Sequence, residues 1–284
     1  MQFTVNETLV QEFTRILESP PPAGRQKEQV VQDFLEANPE LIPMPNRLNH
    51  QLHFDVIVSK FPLSTELTTD YVYITKSSDT WRITLVELEV PEKNIFTSSV
   101  GKIITTAEFN AAMNQVRSWK AFIDDNKAEV LRKLEPLIQP LIMRQNPIEF
   151  HYQLIISRSA DKNLSAARKK HFRMLIQESG IDILTYDTLL TWYKEDRKFK
   201  KNILRLSGDM FQFKTMHIKP EHIFAYVGPD KLLLTTDQRQ RLINDGYEIE
   251  KWEKGDLLTY NTKYAQSTYQ RELENGTLFT FGRA

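Results

Sequence analysis

The chain has 284 residues, is 40% hydrophobic and 11% aromatic, and carries 37 basic and 37 acidic side chains for a formal net charge of zero. Such a chain buries a sizeable core, which excludes a disordered protein, and its balance of charge excludes a polycation that simply coats nucleic acid. With no cysteine, disulfides, thiolate nucleophiles and cysteine-based zinc or iron sites are excluded as well.

The charge is unevenly placed. Residues 1–100 hold 8 Lys/Arg against 14 Asp/Glu, a net of −6, whereas residues 158–205 hold 12 against 6, a net of +6. The opening "MQFTVNETLVQEF" is too polar for a signal peptide and no run reaches transmembrane length, so the expectation is a soluble, cytoplasmic protein without membrane contact.

In chain order, Asn6 caps a short helix with Val10, Phe13 and Ile16 on one face, and "SPPPAG" stops it. A second helix is predicted from about Arg25 to Ala37, ended by "NPELIP". Three strand-like segments follow, His53 to Val58, Asp70 to Ile74 and Arg82 to Glu89, separated by polar turns. Thr105-x-x-Glu108 reads as a capping box opening a helix whose Phe109, Ala112, Met113, Val116, Trp119 and Ile123 keep the helical period. Another helix is predicted from Ala128 to about Glu135, stopped by Pro136. "EFHYQLIIS" is a strand, Ser165 to Glu178 a helix capped by Gly180, "IDILTY" a strand and "DTLLTWYKEDRKFKK" a helix with a basic tail. Beyond about Ser207 the pattern weakens into short aromatic strands ("MFQFKTMHI", "IFAYVG"), a helix near Thr236 to Asn244 and a strand-like "YEIEKW".

This order predicts an α/β fold with a mixed sheet flanked by helices, its early strands antiparallel and its later ones crossing over through helices. The expected division is an N-terminal helix and linker over 1–24, a main domain over 25–206 and a small C-terminal α+β appendage over 207–284, of unknown role.

The chemistry centres on "WRITLVELEVP". Alternation along a strand sets Glu87 and Glu89 on one face, where two carboxylates repel each other and lose solvation. Asp70 opens the preceding strand. If the two strands are hairpin neighbours, Asp70, Glu87 and Glu89 converge at one edge of the sheet, an oxygen donor set suited to Mg²⁺ or Mn²⁺. A metal held there can activate water and neutralise charge building on a phosphate. Each acid taken alone also reads as an edge residue facing solvent. Gln115 lies within the apolar arc of the long helix, where it either bonds a backbone carbonyl or orients a water or carboxylate beside the acids. "GKIITT" lacks the spacing of a phosphate loop, and the six histidines show no zinc spacing.

A helix with Glu, then Asp, then Glu-x-Lys on the next strand, then a helix, is the pattern of PD-(D/E)XK nucleases, and the sequence resembles in particular the Shedu family of bacterial anti-phage nucleases. The resemblance rests on "LVELEVPEKNIFTSSVGKIITTAEFNAAMNQVRSWKAFIDDN", with "EQVVQDFLEANPELI" as leading helix and "YQLIISR" and "IDILTYDTLL" as later strand and strand plus helix. It covers about Arg25 to Trp192. It implies a restriction-endonuclease-like core in which Asp70 and Glu87 are metal ligands, Glu28 is the leading-helix acid and Gln115 the helix glutamine. The lysine of Glu-x-Lys is replaced here by Glu89, a ligand or base in place of a cation; Lys93 or Lys102 from the following loop is a candidate replacement.

Two basic stretches, "RKKHFR" with Arg168, Lys169 and Lys170, and "KEDRKFKK" with Lys198, Lys200 and Lys201, are candidates to hold a DNA backbone, or else solvated helix faces. The resulting expectation is a Mg²⁺- or Mn²⁺-dependent DNA endonuclease acting against phage or plasmids, assembled as a homo-oligomer (dimer or tetramer). The alternative is a catalytically inactive nuclease-fold protein that binds DNA or regulates.

Overall fold

A computed structural model describes residues 5–48, 52–99, 102–195 and 200–275. The first helix, α1 (Glu7–Glu18), begins where its cap dictates: the side chain of Asn6 accepts the Leu9 N–H at 3.2 Å. Leu9, Phe13 and Leu17 form its buried face. The second helix, α2 (Lys27–Ala37), buries Val31 and Leu35 on one side and, less usually, Lys27, Gln32 and Glu36.

Three long strands follow, β1 (Leu52–Pro62), β2 (Thr68–Lys76) and β3 (Trp81–Leu88), pairing antiparallel as expected. The helix α3 (Ala107–Leu134) then carries the chain back so that β4 (Ile148–Ile155) lies parallel to β3. The short α4 (Ser159–Asn163) and α5 (Ala166–Ser179) make the second crossover, to β5 (Asp182–Leu184), which runs parallel to β4. Next come α6 (Tyr186–Glu195), β6 (Asn202–Ser207), β7 (Met210–Thr215), β8 (Leu232–Leu233), α7 (Thr236–Asn244), α8 (Ile249–Trp252) and α9 (Gln266–Glu274). Among the described residues eight strands form one mixed sheet in the order β5-β4-β3-β2-β1-β6-β7-β8, so the α/β expectation holds. Among the described residues no helix is long and apolar enough to cross a membrane.

Alternation along the strands sorts the core into two layers. Val72, Ile74, Ile83 and Leu85 face α3, meeting Phe109, Met113, Val116 and Trp119. Tyr71, Tyr73, Val86 and Leu88 face the other way, toward Phe13 of α1, Val31 and Leu35 of α2, and Tyr186 and Leu189 of α6.

Several local expectations are corrected. Thr106, not Thr105, caps α3: its hydroxyl accepts the Phe109 N–H at 3.0 Å, while Thr105 pairs with Phe96. The helix predicted from Ala128 is the second half of α3, which passes through a kink at Asn126 (φ −124°, ψ 28°) where the Asn126 side chain bonds the Phe122 carbonyl. "IFAYVG" and "YEIEKW" are not strands. The first contains a single 3₁₀ turn at Ile223–Ala225 and the second is α8, because Phe224 and Trp252 bury edge to face, 5.1 Å apart, and the Trp252 indole N–H donates to the Val227 carbonyl. The boundary expected at 206/207 falls inside β6, and β7 and β8 continue the same sheet. Phe211, Phe213, Phe224 and Trp252 share one core with α3.

Candidate active site

The registers of the three long strands decide which side chains meet. Ser59 pairs with Tyr71 and Phe61 with Thr69, which sets Lys60 across from Asp70. Tyr71 pairs with Val86, so the next step along the ladder sets Asp70 across from Glu87. At that end of the sheet Lys60, Asp70 and Glu87 lie side by side on three strands. The hairpin relation assumed for Asp70 and Glu87 is therefore what the chain adopts.

Each of these groups is held by a specific partner. Asp70, 4% exposed, accepts the Leu88 backbone N–H at 2.6 Å through Oδ2, and its Oδ1 is ion-paired with the Lys60 ammonium. Lys60 also lies 3.8 Å from Glu28 of α2. It reaches this position from a left-handed backbone (φ 48°), an unusual conformation for a residue other than glycine. Glu87, 6% exposed, accepts an N–H of the Gln115 amide, donated from α3. Glu89, 7% exposed, is paired with Lys93 four residues later, and its backbone carbonyl accepts the Tyr186 hydroxyl at 2.6 Å.

The electrostatics follow from crowding. Burial, then the charges of Asp70, Glu89 and Glu28, push the Glu87 carboxyl far above the ordinary carboxylate range. Burial also raises Asp70, against the opposing pull of Lys60 and the Leu88 N–H, and burial plus Asp70 raises Glu28. Burial pulls the Lys60 ammonium down, but Asp70, Glu28 and Glu87 outweigh it and keep its pKa above the ordinary value. Four carboxyl groups thus crowd around two ammonium groups.

One expectation is corrected here. Asp70, Glu87 and Glu89 do not form a three-acid ligand set: among the described residues no group of three His, Asp or Glu is arranged to hold a metal ion. The reason is where β3 stops. Beyond Leu88 the chain leaves β2, the Glu89 N–H bonds Ile155 of β4, and the Glu89 carboxylate turns to Lys93. What remains is the Asp70–Glu87 pair. Two hard oxygen ligands with the other positions left to water and phosphate is how proteins commonly bind Mg²⁺, so the residues fit that ion in chemistry and number.

Lys60 and Glu36 are the groups that sequence reasoning missed. A lone lysine inside an apolar strand gave no reason to pair it with Asp70 ten residues on. For Glu36 a signal existed: Glu28, Gln32 and Glu36 recur every four residues, a polar stripe on α2. The Glu36 carboxylate is buried and satisfied by Ser59 at 2.6 Å, Gln32 at 3.2 Å and Lys214 at 2.6 Å.

The basic stretches divide. Lys169, Lys170 and Lys200 are exposed, while Lys198 lies outside the described residues. Lys201 is corrected: it is 2% exposed and donates to the Pro39 and Ile42 carbonyls at 2.6 and 3.0 Å, so its ammonium is spent inside the protein. Arg168 is corrected likewise. Its buried guanidinium pairs with Asp161 and donates to the Thr97 carbonyl, while Asp161 accepts the N–H groups of Ile95 and Phe96. That network anchors the loop that follows Glu89 rather than a ligand.

No curated protein matches the chain. The family model described as Shedu protein SduA, C-terminal, matches residues 25–190, a span that takes in Glu28, Lys60, Asp70, Glu87, Glu89 and Gln115. The match covers more than half of the 284 residues, and the chain belongs to the Shedu family.

Proposed function

We propose that this protein is a metal-dependent endonuclease that hydrolyses phosphodiester bonds of DNA in defence against phage or plasmids. Family membership supports the defensive setting. The observation that carries the chemistry is the buried Asp70–Glu87 pair, set face to face by strand register and flanked by Lys60.

Asp70 and Glu87 would hold Mg²⁺ or Mn²⁺, which supplies a Lewis acid for the phosphate and a more acidic water. Gln115 fixes the Glu87 carboxyl through its amide N–H, and the Leu88 N–H fixes Asp70, so both carboxyl groups are held in place. Lys60 takes the role left open by Glu89: an ammonium beside the acids that stabilises negative charge growing on the phosphate. Glu89, held by Lys93, stands next to the pair as an acceptor for a proton from attacking water. Lys169, Lys170 and Lys200 are the exposed cations available to a phosphate backbone.

A plasmid-nicking assay tests this reading. Cleavage with Mg²⁺ or Mn²⁺ that EDTA stops and that Asp70→Asn abolishes is the expected result. A wild-type protein that binds DNA but leaves it intact with either metal would show the alternative, a nuclease fold without catalysis.

A further inference from the structure

The strands that carry the acids border a cavity at their opposite end. Asp70 and Glu87 lie where β2 starts and β3 stops; this cavity lies where β1 starts and β2 stops, between His53, Phe54 and Asp55 on one side and Lys76 on another. The C-terminal region closes it with His222, Tyr226 and Tyr260. Its volume is about 310 Å³, the small end of the range for ligand pockets.

Three features mark it as a built site. First, its polar atoms lack partners. His53 is only 8% exposed, yet its Nε2 has no hydrogen bond, and the same is true of the buried Nδ1 of His222. Each nitrogen is itself covered, so a ring turns slightly to bond a ligand in the cavity, and that bond removes the cost of leaving it unpaired. Burial, then Lys76, hold the His53 imidazole well below its ordinary pKa, so it is a neutral ring with one donor and one acceptor nitrogen.

Second, the wall is aromatic and partly open. The His222 and Tyr260 rings stack at 4.8 Å, Tyr226 meets Tyr260 edge-on at 6.0 Å, and Phe54 lies 5.9 Å from Tyr226. Tyr260 is 58% exposed, a large ring left at the mouth.

Third, the backbone is strained here. Phe54 and Asp55 have consecutive left-handed φ values of 56° and 53°, rare for residues other than glycine, and they break the β1–β2 ladder between Leu52 and Ile57. Strain of this kind is kept where it shapes a site. Here it takes the strand off its register at the cavity wall.

We propose that this cavity binds a nucleobase, carried by a free nucleotide or by a single strand. The ring stacks on Tyr260 with Tyr226 against its edge, its rim exchanges hydrogen bonds with His53 and His222, and an attached phosphate meets Lys76. An apolar ligand would leave both ring nitrogens unpaired. A flat heterocycle with donors and acceptors on its rim satisfies both the aromatic wall and the orphan nitrogens.

Isothermal titration of the full chain in EDTA, which removes any metal-dependent binding at Asp70 and Glu87, tests the proposal. The probes are the four deoxynucleoside 5′-monophosphates, a short single-stranded oligonucleotide and deoxyribose 5-phosphate as a control without a base. The expected result is saturable one-site binding of at least one base-bearing probe, and none of deoxyribose 5-phosphate. Tyr260→Ala, an exposed change that leaves folding intact, should weaken binding roughly 5- to 100-fold, the loss of one stacking ring, and His222→Ala should weaken it as well. Binding of a monophosphate identifies a free nucleotide as the source; binding of the oligonucleotide alone identifies a strand when Tyr260→Ala weakens it, since the exposed lysines also attract a phosphate backbone. The proposal is overturned by no saturable binding of any base-bearing probe, by equal binding of deoxyribose 5-phosphate, or by affinity unchanged in both variants.

Discussion

Lys60 on β1 is ion-paired with Asp70 on β2, directly beside the point where Glu87 of β3 comes opposite Asp70. An ammonium thus stands beside Asp70 and Glu87 themselves, while the other nearby one, Lys93, is taken up by Glu89. This relationship makes Lys60 the residue on which the catalytic reading most depends. Lys60→Gln should lower metal-dependent nicking by about 10²–10³-fold, the usual cost of removing one charge-stabilising group. Lys60→Arg should retain part of the activity. Equal nicking by wild type and Lys60→Gln would remove Lys60 from the site.

Glu87 should trade stability for function. Its carboxyl pKa is raised in the folded state, so between the unfolded value near 4.3 and the folded one the unfolded chain ionises first, and folding weakens as pH rises. Glu87→Gln removes that titration. The variant should be more stable than wild type at pH 8, by on the order of 1–3 kcal/mol, with little difference at pH 4, and it should not cut DNA. Thermal melts in EDTA at the two pH values check this; a gap that stays constant with pH would contradict the assignment.

Cation binding should release a proton. The crowded acids hold one at neutral pH, and a divalent ion at Asp70 and Glu87 displaces it. Affinity for Mn²⁺ should therefore rise with pH between 6 and 8, by up to about tenfold per unit for one proton exchanged. Titration calorimetry in buffers of different ionisation enthalpy counts the protons directly. Affinity independent of pH would mean that the ion, if bound, goes elsewhere.

The basic residues should separate by burial. Replacing Lys169, Lys170 and Lys200 with Gln should flatten the salt dependence of DNA binding by roughly one unit of log–log slope per lost phosphate contact. Lys201→Met should leave that slope unchanged and destabilise the fold by about 1–3 kcal/mol, because the Pro39 and Ile42 carbonyls lose their donor. Filter binding across a salt series and denaturant melts measure the two effects. A slope that responds to Lys201 and not to the exposed set would invert this division.

The sequence by itself determined the elements with strong periodicity and local caps. Asn6, the apolar rows of α3 and the alternating β1–β3 strands each contain their signal within a few residues. It also set Asp70 beside Glu87 once their strands are taken as hairpin neighbours, whereas Gln115 joined them only through the family resemblance, since an amide on an apolar helix arc can equally bond a backbone carbonyl. Tertiary structure decided what depends on register and on where strands end. Lys60 meets Asp70 only because β1 pairs with β2 in one register, and Glu89 turns to Lys93 only because β3 stops at Leu88. Likewise Lys201 and Arg168 read as surface cations in a run of basic residues, yet carbonyls and an aspartate from distant segments capture them inside. Beyond β6, short apolar runs of four to six residues fit a strand or a helix equally well, and burial against the shared core made helical turns of Ile223–Ala225 and Ile249–Trp252. Local physics fixes such a segment's polarity; the surface it packs against fixes its shape.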